Sequence, residues 1–244
     1  MLYPKIETLF TRDKYTFKVI PGKFRNEAYS LIKEWEWTEK IDGTNIRITY
    51  DECPLPCEFD KKSNISRKQV RKVVEYEGGY RGIKYDGRTD AAELPGGVVD
   101  YLDNKLSTTI ILEEFQDKKV VIYGEGYGGK IQKGGGYSQT QKFIVFDIFI
   151  DGFWLKRADV EEICNKLGLD LVPIILTGSL NEAVHIVKHG FMSKLGDGSV
   201  KSEGLIGRTK VPLFTHHGQR LITKLKTCDF EQNVESFYKA SNNG

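Results

Sequence analysis

Lys40 stands in the run Glu39-Lys40-Ile41-Asp42-Gly43-Thr44-Asn45, two residues ahead of an Asp-Gly pair. The chemistry on offer is attack by an amine on an electrophile such as phosphorus. For that the lysine must shed its proton, which requires a pKa lowered by desolvation or by neighbouring cations, a bound metal included. Trp35 to Thr38 lead in with aromatic and β-branched residues, and Ile46-Arg47-Ile48-Thr49-Tyr50 alternate apolar with polar. Lys40 is therefore expected where a strand meets a tight turn that could bury and aim it. Lys-x-Asp-Gly also arises by chance, and a surface lysine beside a hairpin turn satisfies these residues equally well.

Other charged residues sit where charge is costly. Leu221 to Lys226 reads as a strand whose period of two puts Lys224 and Lys226 on one face with Ile222. Glu203 opens a second apolar strand that runs to Arg208, and a buried charge there needs a partner. Lys119 to Tyr123 is a short β-branched strand that delivers Glu125 into glycine-rich backbone, and Phe143 to Ile150 is a nearly continuous apolar strand holding Phe146. Taken singly, Phe146 is equally a core aromatic and Glu125 equally a turn carboxylate.

In order and spacing these segments resemble the ATP-dependent RNA ligases of the RNA-repair type, within the covalent nucleotidyltransferase superfamily that includes ligases and capping enzymes. Motif I would be Glu39 to Asn45, motif III Tyr123-Gly124-Glu125-Gly126-Tyr127-Gly128, and motif IIIa Phe143 to Ile148. Motif IV would be Ser202 to Arg208 and motif V Leu221 to Lys226, so the resemblance spans most of the chain. Ser66-Arg67 matches the arginine that the superfamily places after motif I. The resemblance implies an enzyme with a nucleotidyltransferase, ATP-grasp-like fold of mostly antiparallel sheets flanked by helices. It implies that Lys40 attacks the α-phosphate of ATP to form a covalent lysyl-AMP, that AMP passes to an RNA 5′ phosphate, and that a 3′ hydroxyl then displaces it. Carried over residue by residue, Phe146 would stack on adenine and Glu125 would contact the ribose. Arg67 and Asn45 would address phosphates, and Glu39, with Ile41 beside it, would meet adenine through its backbone. Glu203 would support Mg²⁺ or Mn²⁺, and Lys224 and Lys226 would neutralise the phosphate charge that builds up in each step.

Composition sets limits on partners. Lys and Arg total 36 against 34 Asp and Glu, a net charge of +2, so any nucleic-acid surface has to be local. From Lys61 to Lys72 six of twelve residues are basic, which makes that segment a candidate phosphate contact or a solvated charged face. Cys53, Cys57, Cys164 and Cys228 are scattered in a chain without a secretory signal, which favours reduced thiols in a cytosol-like compartment, a host's if the chain is viral. The Cys53 to Cys57 loop lacks a second ligand pair for zinc. His185 and His189, four apart on a helix, lack a third ligand, and His216-His217 is weaker still. The most apolar run, Ile144 to Ile150, is far short of the ~20 residues a spanning helix needs.

Helices are expected near Asn26 to Glu34, over Pro95 to Glu114, Arg157 to Leu167, Leu180 to Lys188 and Phe230 to Ala240. A strand is expected at Val172 to Leu176, and a turn-rich stretch around Gly78, Gly79, Gly82 and Gly87. This mixed order is that of an α+β protein, read as one nucleotidyltransferase domain over residues 1–244. Neither the extra C-terminal domain of many such ligases nor an oligonucleotide-binding barrel is visible after Lys226, so an accessory protein could supply grip on a nicked duplex or broken RNA ends. A DNA ligase, a capping-type guanylyltransferase and an inactive nucleic-acid-binding relative are the rival readings.

Overall fold

A computed structural model describes residues 1–53, 70–132 and 136–230. Arg67, most of the basic segment, the loop after Cys53 and the helix expected beyond Phe230 lie outside the described residues. In chain order the elements are β1 (Glu7–Thr8), β2 (Phe10–Arg12), β3 (Val19–Phe24), a 3₁₀ turn (Glu27–Leu31), β4 (Trp35–Lys40), β5 (Thr44–Glu52), β6 (Val70–Tyr76) and β7 (Gly79–Gly87). Helices α1 (Gly96–Lys105) and α2 (Thr108–Phe115) follow, then β8 (Val120–Tyr127), β9 (Lys142–Ile150), β10 (Phe153–Trp154) and α3 (Arg157–Leu167). The chain continues through β11 (Asp170–Leu171), β12 (Ile174–Gly178), α4 (Leu180–His189), β13 (Gly204–Thr209) and β14 (Ile222–Lys226). This is an α+β fold whose sheets are mostly antiparallel. Within the span read above as one domain, the chain forms two compact units: Met1–Tyr3 with Asp42–Leu171, and Pro4–Ile41 with the residues from Val172 onward.

The first unit is a sheet ordered β10-β9-β8-β5-β7-β6, with β11 added in parallel beside β9. The alternation read in β5 holds. Ile46, Ile48 and Tyr50 enter a core with Ile83, Tyr85, Ile122 and Val145, which Val98, Leu102, Ile111, Phe115 and Leu167 of the helices cover. Asn45, Arg47 and Thr49 take the opposite face. Gly43 makes no hairpin, since β4 and β5 belong to different sheets. It is glycine because a Cβ there would lie 2.3 Å from the carbonyl oxygen of Gly126.

Three expectations change. The helix expected over Pro95 to Glu114 is two helices. Ser107 accepts from the Ile110 N–H and starts α2, while Lys72 reaches across from β6 to the carbonyls of Asp103, at 2.8 Å, and Leu106, at the end of α1. Arg71 is ion-paired with Asp103. The described end of the basic segment is therefore engaged at this helix terminus. Gly82 lies inside β7, Gly87 ends it, and β8 runs on through Gly124 and Gly126; at Gly82, Gly124 and Gly126 sheet pairing on both sides overrides the weak strand preference of glycine. Finally, Cys53 is disulfide-bonded, so the thiols are not all reduced. Burial pushes the Cys164 thiol up to about 12.

The second unit is a sheet ordered β1-β14-β13-β4-β12, with the β2–β3 hairpin beside it. Trp35, Trp37, Leu205 and Leu225 pack with Leu9, Leu180, Ala183 and Val187, the last three supplied by α4. That helix starts with a capping box between Ser179 and Glu182.

Replacing Lys72 with Ala leaves the α1 carbonyls without their donor, and should cost about 1–3 kcal/mol, as for hydrogen bonds to a charged group. For a chain of this size that is a drop in Tm of several degrees. A melting curve unchanged from the parent would show that Lys72 does not cap the helix.

Candidate active site

The second unit assembles the lysines. In the β4-β13-β14 register, Gly204 stands opposite Lys40 on one side and Lys226 on the other, and Ile206 stands opposite Thr38 and Lys224. Two lysines thus flank a residue with no side chain. A Cβ on Gly204 would lie 2.0 Å from the Leu225 carbonyl oxygen, and its φ of +150° is one that other residues rarely adopt. Glu203, immediately before β13, sends its carboxylate into this gap. Oε1 accepts from Lys226 Nζ at 2.8 Å, and Oε2 accepts from Lys40 Nζ. The side chains of Lys40, Glu203 and Lys226 retain 20–32% exposure, enough to admit a ligand.

Charge in this group is mutually tuned. Burial pushes the Glu203 carboxyl up, but the Lys40 and Lys226 charges and their hydrogen bonds outweigh it, holding the group below the usual glutamate range. Burial opposes the Lys226 ammonium too, yet its bond to Glu203 raises its pKa overall. Lys224 is pulled down, first by burial and then by the charges of Lys226 and Lys40. On β14, Thr223 and Leu225 are buried while Ile222, Lys224 and Lys226 share the more open face, as the period of two required. Three ammonium groups around a single carboxylate make a local excess of positive charge suited to a polyphosphate.

Glu39 faces the other way, buried beside Lys40. Its N–H donates to the Pro173 carbonyl at 3.0 Å, and its Oε2 accepts from the Lys194 N–H at 2.9 Å, a partner that no sequence pattern announced. Ile41 is buried at the end of this unit.

Asn45, Glu125 and Phe146 belong to the first unit. Asn45 pairs with Glu125 across β5 and β8. Phe146 occupies a β-bulge, since Tyr123 pairs with Asp147 and Gly124 with Val145. Period two already sets Phe146 opposite the core that Phe143 and Val145 enter, and the extra residue keeps Asp147 on the same face as Phe146 before Ile148 returns to the core. Tyr3 lies edge-on to Phe146 with ring centroids 5.0 Å apart, and its hydroxyl donates to Asp147 Oδ2 at 2.7 Å. The sequence reading missed this support. It also missed Arg47, on the same face of β5 as Asn45, whose guanidinium pairs with Asp90 and lies 3.6 Å from Asp86. The alternation of β5 already placed Arg47 beside Asn45. His185 and His189 stack on each other, and among the described residues no group of His, Cys, Asp or Glu could hold a metal ion by itself.

A strand-end lysine salt-bridged to a carboxylate, with two further lysines on the same sheet face, is a cluster whose excess positive charge suits a phosphate-bearing ligand. A family model described as RNA ligase matches residues 33–226, well over half of the chain, and the chain belongs to the RNA ligase family. Solved structures of an RNA ligase from Naegleria gruberi are similar in fold. A variant with ATP and Mn matches at TM-score 0.55 and 17% identity over 91% of this chain and 59% of that one. The form with PPi matches at 0.55 and 17% over 96% and 64%, and a variant with AMP and Mn at 0.54 and 17% over 94% and 63%. The chain thus spans about six-tenths of the length of these structures. A search of curated proteins returns no match.

The folded-state pKa of Glu203 is depressed, so its contribution to stability is present above its ordinary value of 4.5 and is lost as pH falls through the folded value. Glu203→Gln should therefore be less stable than the parent at pH 7, where it strands three like charges, and the gap should close as the solution is acidified. Denaturant titrations at stepped pH check this. A constant gap down to pH 3 would mean that the carboxylate does not hold the lysines.

Proposed function

We propose that this chain carries the catalytic portion of an ATP-dependent RNA ligase, and that the bridge of Lys40, Glu203 and Lys226 beside Lys224 is its reaction centre. The bridge is the observation that carries the reading. Lys40 Nζ loses a proton and bonds to the α-phosphorus of ATP, the bond to pyrophosphate breaks, and a phosphoramidate remains. A 5′ phosphate oxygen of RNA then takes the AMP, breaking the N–P bond and restoring Lys40. A 3′ hydroxyl next attacks that 5′ phosphate and expels AMP. Lys224 and Lys226 are assigned to stabilising the charge on the phosphate oxygens in each step. Phe146, Glu125 and Asn45 are assigned to the nucleoside and its phosphates. Arg67 is assigned to phosphate, and the backbone at Glu39 and Ile41 to adenine.

A lone carboxylate such as Glu203 fits Mg²⁺ or Mn²⁺, which take most of their ligands from water and phosphate rather than from a protein cage. When bound, the ion would supply Lewis-acid charge to the phosphate oxygens. Sealing of nicked or broken RNA in repair is the role this chemistry serves, with any further grip on RNA supplied by an accessory protein.

Incubation with α-labelled ATP should place label on the protein, and intact mass should show one AMP. Lys40→Ala and Lys40→Arg should both abolish the adduct while leaving the fold intact, because a guanidinium cannot act as the nucleophile. Label from GTP instead would indicate a capping enzyme, and label from neither a binding module. Lys224→Ala and Lys226→Ala should each slow adduct formation by on the order of 10²-fold, as for deletion of one electrostatic stabiliser. Parent rates in both would remove the lysines from the reaction.

A further inference from the structure

The β2–β3 hairpin lies outside the lysine cluster, and its sequence departs from the balanced charge of the chain. Residues 10–25 contain Arg12, Lys14, Lys18, Lys23 and Arg25 against Asp13 alone. That acid is turned inward: its Oδ1 accepts from the N–H groups of Tyr15 and Thr16 and from the Thr16 hydroxyl, at 2.8–3.0 Å, and so builds the tip. Tyr15 is 90% exposed and Phe17 71%. Phe17 also holds φ at +57°, a left-handed conformation unfavourable for a bulky residue, fixed by its N–H to the Asp13 carbonyl and by Arg12 Nη1 donating to its own carbonyl. An ordered turn that strains a phenylalanine in order to present it to solvent beside a tyrosine and lysines is built for a ligand with flat faces and negative charge.

The hairpin is also tied to the reaction centre. Thr8 pairs with Lys224, and the Leu9 N–H donates to the Lys224 carbonyl at 3.0 Å. Arg12 Nη2 donates to both carboxylate oxygens of Asp229, each at 2.7 Å, just past the strand bearing Lys224 and Lys226. Tyr15 is seven residues beyond Thr8, which puts it no farther than about 25 Å away along even a fully extended chain. A short oligonucleotide can span that distance.

We propose that this hairpin is a docking platform for single-stranded RNA, with Tyr15 and Phe17 stacking on bases and Lys14, Lys18 and Lys23 meeting phosphates. It deepens the ligase reading by naming a grip for the RNA substrate, and it rests on that reading. Aromatic stacking with interleaved cations is the sequence-tolerant mode of single-strand binding. It differs from the grip first expected of the segment near Lys61 to Lys72.

The test measures anisotropy of a labelled, 5′-phosphorylated 12-nucleotide RNA on the whole chain, with adduct formation on Lys40 followed separately by intact mass. Tyr15→Ser and Phe17→Gly should each weaken RNA binding by roughly tenfold. Phe17→Gly relieves the left-handed strain, so loss of folding cannot explain that result. Changing Lys14, Lys18 and Lys23 together to Ser should make the plot of log affinity against log salt shallower by about 2, near 0.7 per phosphate contact. All these variants should form the AMP adduct at the parent rate. RNA binding equal to the parent in the ring variants overturns the platform, as does the absence of RNA binding by the parent. Loss of binding to vesicles of phosphatidylserine and phosphatidylcholine without loss of RNA binding overturns it in favour of a membrane surface. An adduct that never forms, alongside ring-dependent RNA binding, sinks the ligase reading and leaves the platform standing.

Discussion

The carboxylate of Glu203 holds two ammonium groups that the sheet would otherwise force together. Strands β4 and β14 are the two neighbours of β13, so the register alone brings Lys40 and Lys226 to either side of Gly204, with Lys224 one row further on. Three half-buried cations in such proximity repel one another, and burial raises the cost of each charge. Glu203 relieves part of this, but a single negative charge leaves the group electropositive. The residual charge is what a triphosphate would satisfy, so repulsion among the lysines and attraction for a polyanion would have one origin.

The same arrangement accounts for the uneven pKa behaviour of the two strand lysines. Lys226 has the carboxylate and keeps its proton more firmly, whereas Lys224 has burial and two cationic neighbours and holds its proton less firmly. Residues two apart on one strand face thus acquire different electrostatic characters from a single partner. Lys40, the last residue of β4, ends the second unit's strand just before the chain passes at Asp42 into the first unit. A side chain at a strand end keeps a rigid backbone on one side and an open approach on the other.

Each unit has its own apolar core, and in both the candidate site side chains occupy positions that the core does not need. In the first unit the helices cover one face of the sheet, which leaves the other for Asn45, Arg47, Glu125 and the bulged Phe146. In the second, Trp35, Trp37, Leu205 and Leu225 fill one side, and Thr38, Lys40, Lys224 and Lys226 take alternate positions.

Local residue pattern was enough to say which side chains could share a face. A period of two is a local property, so the alternation in β5 and β14 announced the pairing of Lys224 with Lys226, and the strand before Asp42-Gly43 announced an aimed Lys40. The ordered motifs further announced the family. Tertiary structure alone decided what those faces meet. Nothing local says that β13 lies between β4 and β14, which is the reason Glu203 bridges Lys40 and Lys226 across 163 and 23 positions of sequence. The bulge that keeps Asp147 on the same face as Phe146 depends on a register shift against β8. Lys72, one basic residue in a basic run, was committed to the end of α1 by a helix more than thirty residues away. The exposure of Tyr15 and Phe17 was equally hidden, because the same aromatic residues in a strand would ordinarily be read as core. Long-range pairing selects among the partners that local pattern permits, and only the folded chain brings those partners within bonding distance.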